Sequence, residues 1–131
     1  MYKKILLPLD LTDKHEPAVR AAADFATQTN GSITLLHVIE LIPGLAREED
    51  RAFYDKLEQT ATAHLDKIGK SLTTQKVSWR PFVVFGHRLE ETMRKVADEK
   101  HDLVIVTSPI FDPAKPAVGW GFCDPLLTAV H

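Results

Sequence analysis

The chain has 131 residues, 44% of them hydrophobic and 26% charged, with a formal net charge of -2. This length suits one domain with a sizeable core, and residues 1–131 are read as a single unit. The near-neutral balance gives no electrostatic case for nucleic acid or an anionic membrane as partner.

Cys123 is the only cysteine, so no internal disulfide forms, which fits a reducing compartment. No apolar run approaches the roughly 20 residues of a membrane span. The short apolar stretch after Met1-Tyr2-Lys3-Lys4 breaks at Pro8 and Asp10, too early for a secretory signal. The expected location is the cytoplasm.

Lys4-Ile5-Leu6-Leu7-Pro8-Leu9-Asp10 opens the chain with an apolar run lacking polar alternation, which predicts a strand covered on both faces. Asp10 follows at its carboxyl end. In open α/β sheets ligands bind outside such ends. Asp10 is therefore either a ligand acceptor or a cap for the next helix or turn.

A polar loop, Thr12 to Glu16, leads to Pro17, which suits a first helical turn. Val19, Ala22, Ala23 and Ala26 recur at helical spacing, and Asn30-Gly31 ends the helix, with Gly31 the residue expected at positive φ. Ile33 to Val38 reads as a second strand, parallel to the first through a right-handed crossover. His37 within it is either a site residue or a satisfied core histidine. Leu41 to Leu45 is a loop with Pro43 and Gly44.

Arg47 to Leu72 reads as a long amphipathic helix, with Phe53, Leu57, Ala61, His64, Leu65 and Ile68 on its inner face. Val77 to Phe85 forms a third strand in which Pro81 argues for an edge position. In the next helix Leu89, Met93, Val96 and Ala97 form the expected buried stripe, and Leu103 to Val106 forms a fourth strand. Three prolines at 109, 113 and 116 and then Gly119-Trp120-Gly121 mark a loop. Phe122 to Val130 holds a short last helix. Strict alternation of strand and helix predicts a doubly wound, three-layer α/β sandwich with an open parallel sheet.

Four stretches, in order, resemble the universal stress protein family: Lys3 to Thr12, Leu35-Leu36-His37-Val38, Gly86-His87-Arg88-Leu89-Glu90-Glu91, and Asp102 to Val106. The resemblance spans roughly residues 2 to 108. It implies a flavodoxin-like or Rossmann-like fold with sheet order 3-2-1-4-5, of which this chain shows 3-2-1-4, a homodimer, a role in stress tolerance and a bound adenine nucleotide, AMP or ATP. It further implies that Pro8, Leu9, Asp10 and Val38, at the tips of the first two strands, hold the adenosine.

The family's phosphate loop follows the fourth strand as Gly-x2-Gly-x9-Gly-Ser/Thr. Its glycines let backbone N–H groups approach phosphate oxygens. Here Thr107 and Ile110 stand where the first two glycines belong, Gly121 serves as the third if the loop is one residue longer, and Phe122 replaces the hydroxyl residue. The expected binding mode is accordingly weak or modified. The family's fifth strand has no counterpart before His131, so the end is truncated or diverged, or a partner covers the edge of the fourth strand.

Other classes lack their chemistry. A response-regulator receiver needs an aspartate after the third strand, where this chain has Val84-Phe85-Gly86, and an ATP pyrophosphatase needs a Ser-Gly-Gly loop after the first strand. No Walker loop, Gly-x-Gly-x-x-Gly or Gly-x-Ser-x-Gly occurs. The six histidines lack metal-ligand spacing, and Cys123 has no base beside it. The reading is a non-enzymatic stress protein that binds AMP or ATP; the alternative is a dimeric interaction module that has lost the ligand.

Overall fold

The apolar run near the N-terminus is an inner strand of the sheet, and Ile5, Leu6 and Leu7 are fully buried there. The structure is a computed structural model that describes residues 3–11 and 15–106. In chain order its elements are β1 (Lys4–Pro8), α1 (Glu16–Thr29), β2 (Ser32–Ile39), α2 (Arg51–Thr74), β3 (Ser78–Phe85), α3 (Arg88–Glu99) and β4 (Leu103–Val104). The helix expected at 122–130 lies outside the described residues.

The four strands form one parallel sheet in the order β3-β2-β1-β4, as the resemblance implied. β2 and β3 are added on one side of β1 and β4 on the other. Right-handed crossovers then put α1 and α2 on one face of the sheet and α3 on the opposite face. Side-chain alternation follows this division. Ile5, Leu7, Ile33, Leu35 and Leu103 pack with Ala22 and Ala26 of α1 and Leu65 and Leu72 of α2. Leu6, Leu36, Val38 and Val104 face the other way, against Phe82, Val84 and Val96. The alanines of α1 hold no bulk, which lets that helix lie close over the sheet. Pro81 pairs in register with Leu35 on the edge strand β3, where a missing N–H breaks no central ladder.

Three expectations need correction. The positive φ at the end of α1 belongs to Asn30, at 56°, and its N–H reaches the Ala26 carbonyl. Gly31 is required for space instead, because a Cβ there would meet the Lys3 carbonyl oxygen at 2.7 Å.

The second correction concerns α2, which begins at Arg51 rather than Arg47; residues 46–50 form turns closed by Glu49 and Asp50 N–H groups on the Ala46 carbonyl. Its buried stripe is Tyr54, Ala61, Leu65, Ile68, Gly69 and Leu72, whereas Phe53 and Leu57 are exposed. At about 100° per residue those two lie to one side of the stripe that meets β3. Gly69 lies under the Trp79 indole, with room for no side chain: a Cβ would sit 2.2 Å from the ring.

In α3, Leu89, Met93 and Ala97 are exposed, Val96 is half-buried and Thr92 is buried. Polar contacts mark the side of α3 that meets the sheet. Lys95 Nζ lies 3.7 Å over the Phe82 ring and pairs with Glu99 at 2.8 Å, and Glu99 also pairs with Arg80 at 2.7 Å. The 91–95–99 side of α3 thus meets β3, and the Leu89–Met93 side faces outward.

Candidate functional site

The strand order reverses between β1 and β4, and the carboxyl edge of the sheet there is the candidate site. β1 ends at Pro8, whose register partner on β2 is Leu36. The chain does not leave the sheet at once. Leu9 donates its N–H to the Leu36 carbonyl at 2.8 Å, and its own carbonyl accepts the Nδ1–H of His37 at 2.7 Å. His37 is therefore the donor that fixes the end of β1 against β2. Leu11 follows at φ 66°, a left-handed conformation that turns the chain away.

Pro8 is half-buried, Leu9 and Val38 are buried, and Asp10 is exposed. The Leu9 side chain belongs to the core under α1 and α2, and Val38 to the core under α3. Of the four residues, Asp10 presents its side chain most openly at the edge. The N-cap position of α1 is His15. Pro8, Leu9, Asp10 and Val38 thus lie together at the ends of neighbouring strands. Thr107, Ile110, Gly121 and Phe122 lie outside the described residues.

The loop after β2 completes this edge. Gly86 donates its N–H to the Ile39 carbonyl at 3.1 Å, and Arg88 approaches Glu40 at 3.7 Å, so the root of the loop is tied to the β3–α3 turn. Arg47 stacks on the Phe85 ring at 3.9 Å. An open hollow beside it is lined by Arg47, Glu48, Arg51 and Asp55, two cations and two anions.

The opposite, amino edge is held by charge. Asp102 accepts the N–H groups of Lys3 and Lys4, each at 3.0 Å, and Lys4 Nζ donates to the Glu99 carbonyl at 2.6 Å. His101 is buried there: its Nδ1–H donates to the Lys95 carbonyl at 3.3 Å, which leaves Nε2 to accept the Thr34 hydroxyl at 2.9 Å. Burial holds the His101 pKa below its ordinary value, outweighing the Lys95 carbonyl and Glu99. Lys95 hydrogen bonding holds the Glu99 carboxyl below the ordinary range, against a smaller opposing effect of burial. Sequence reading missed this cluster because its members come from four separate segments.

Among the described residues no group of three or more His, Cys, Asp or Glu could hold a metal ion, and no helix is long and apolar enough to cross a membrane.

An open parallel sheet with helices on both faces, reversing its order between β1 and β4, defines a doubly wound α/β domain of the kind that binds ligands beyond its carboxyl edge. The profile of the universal stress protein family matches residues 1–109. The chain belongs to that family. It is similar to the universal stress protein MJ0577 of Methanocaldococcus jannaschii, with 29% identity over 125 residues covering 82% of this chain and 77% of that protein. Among solved structures, UspA from Lactobacillus plantarum superposes with a TM-score of 0.74 at 18% identity, over 95% of this chain and 92% of that one. A universal stress protein solved in complex with cAMP superposes with a TM-score of 0.56 at 17% identity, over 79% of this chain and 70% of that one.

Proposed function

We propose that this chain is a non-enzymatic stress-response protein that binds an adenine nucleotide, AMP or ATP, at the carboxyl ends of β1 and β2. The observation that carries the reading is the grouping of Pro8, Asp10 and Val38 beside the switch point, with the end of β1 held by His37. A family relative was solved in complex with cAMP, a ligand with the same adenosine core. Asp10 supplies an acceptor for base or ribose donors. Leu9 and Val38 have buried side chains, so they contribute through backbone and shape.

The phosphate side is the weaker half of the site. Thr107 and Ile110 carry Cβ atoms where glycines would let the backbone approach phosphate oxygens, and Gly121 is the remaining glycine of the pattern. Adenosine recognition therefore outlasts triphosphate recognition. The test is calorimetric titration with AMP and with ATP, each with magnesium. Comparable or tighter AMP binding supports the reading, and tight ATP binding with much weaker AMP binding overturns it.

The protein works in the cytoplasm as a homodimer, the second copy covering the edge of β4. Light scattering that finds a monomer at high concentration defeats the dimer. A dimeric interaction module without nucleotide is the alternative, favoured by the exposed Leu89 and Met93 on α3. Absence of heat with either nucleotide selects it.

A further inference from the structure

We propose that Leu41 and Ile42 form a preset apolar wall for the base of the bound nucleotide, and that the Tyr54 hydroxyl holds this wall in place. The proposal rests on the nucleotide reading and adds where the base lies.

Leu41 and Ile42 are each 46% exposed, three and four residues after Val38. Exposed apolar side chains on a slack loop would mean little. This loop is built. Tyr54 is fully buried, and its hydroxyl accepts the Ile42 N–H at 3.0 Å and donates to the Leu45 carbonyl. The Leu45 N–H closes a turn on the Ile42 carbonyl at 2.9 Å, with Gly44 at φ 82°. The Tyr54 ring is itself held edge-on against Phe85, at 6.1 Å between centroids. The root of the loop is tied through Ile39 to Gly86 and through Glu40 to Arg88. A buried tyrosine thus uses both of its hydrogen-bonding functions to keep two aliphatic side chains at the surface.

The occupant that suits such a wall is a flat, uncharged ring with polar edges. A nucleobase meets that description, and phosphate or ribose does not. Continuity with the site argues for the same occupant. β2 carries Val38 into the edge beside Leu9 and Asp10, and the chain runs directly on to Leu41. The base would lie against Leu41 and Ile42 while its polar edge faces Asp10. Tyr54 touches no ligand here; it is a positioning residue.

The experiment follows the methyl resonances of Leu41 and Ile42 by NMR while the full chain is titrated with AMP, and separately with ribose 5-phosphate. An adenine ring over these methyls moves them by its ring current, and ribose 5-phosphate leaves them unmoved. In parallel, L41S/I42S should weaken AMP binding about tenfold, the loss expected from two aliphatic contacts. Y54F should weaken AMP binding while leaving the affinity for ribose 5-phosphate as in the wild type, which a general loss of stability would not do. If AMP binds the wild type but the two sets of methyls stay still and L41S/I42S binds equally well, the wall is wrong and the nucleotide reading stands. If AMP does not bind the wild type, the nucleotide reading fails and the wall with it. Methyl shifts that follow protein concentration rather than AMP assign the pair to a contact between copies and also overturn the proposal.

Discussion

His37 Nδ1 donates to the carbonyl of Leu9 at 2.7 Å, joining two residues 28 positions apart at the carboxyl edge of the sheet. The bond extends the β1–β2 pairing past its last register pair, Pro8 with Leu36, and so determines where the 9–11 turn begins. Replacing His37 by Ala leaves the Leu9 carbonyl without its side-chain donor. The expected loss of stability is about 1 kcal/mol, the usual net worth of such a bond. Because the turn carries Asp10, AMP affinity should fall by more than the affinity of a variant equally destabilised at the amino edge. Chemical denaturation and AMP titration of the two variants, side by side, check this.

Asp10→Ala should weaken AMP binding by roughly 1.5–3 kcal/mol if its carboxylate takes a hydrogen bond from the ligand. Asp10 is exposed at the sheet edge, so its loss should lower AMP affinity by more than it lowers stability. A drop in melting temperature with unchanged relative affinity would assign Asp10 to the turn instead.

Stability should decline as pH falls below the ordinary histidine value of 6.5, and His101 should be the cause. Its folded pKa is lowered by burial, so between the folded value and 6.5 the unfolded chain binds the extra proton. The contribution is present above 6.5 and is lost as pH falls toward the folded pKa. The groups facing the ring are Thr34 from β2, the Lys95 carbonyl and Glu99 from α3, and Lys4 from β1. Glu99 titrates lower, since its carboxyl is held below 4.5, and its contribution is lost only under more acid conditions. Denaturation midpoints at pH 7.5 and pH 5.5 should differ in the parent, and the difference should shrink in H101Q. An unchanged pH dependence in H101Q assigns the slope to another group.

Gly69→Ala should destabilise the fold even though alanine favours a helix by about 1 kcal/mol over glycine. The new Cβ would lie 2.2 Å from the Trp79 ring, which is also held by its Nε1–H on the Thr73 hydroxyl at 2.8 Å. Overpacking of this kind costs about 1–3 kcal/mol. Removing the indole as well, in G69A/W79V, should make the alanine substitution neutral or favourable. A double-mutant cycle by thermal denaturation measures the coupling, and additivity of the two changes would contradict the steric account.

Local pattern carried much of the architecture. The run from Ile5 to Leu7 has no polar alternation, which only a strand covered on both faces tolerates, and all three residues are buried. Pro81 identified an edge strand because a proline removes a ladder donor. The order of strands and helices followed from periodicity, and the reversal at β1 came with the family resemblance. Periodicity alone did not determine how each helix is rotated. Leu89 and Met93 have the spacing of a buried stripe, yet Thr92, Val96 and Lys95 form the side that meets the sheet and Leu89 and Met93 face outward. Phe53 and Leu57 are displaced in the same way, because α2 meets β3 through Tyr54, Ala61, Leu65 and Gly69 under Trp79.

For the candidate site, the sequence by itself ended the first strand near Pro8 and Asp10, where a proline and an acid interrupt the apolar run, and the resemblance added Val38 at the tip of the second. Only the tertiary structure decided that His37 grips Leu9, that the Leu9 and Val38 side chains point into opposite cores, and that Tyr54 holds Leu41 and Ile42 at the surface. His101 and Thr34, 67 residues apart, make the same point at the other edge. The physical reason is range. Apolar spacing and turn chemistry act over a few residues and are written in the chain, whereas a hydrogen bond between distant segments exists only once the sheet has brought its strands into register.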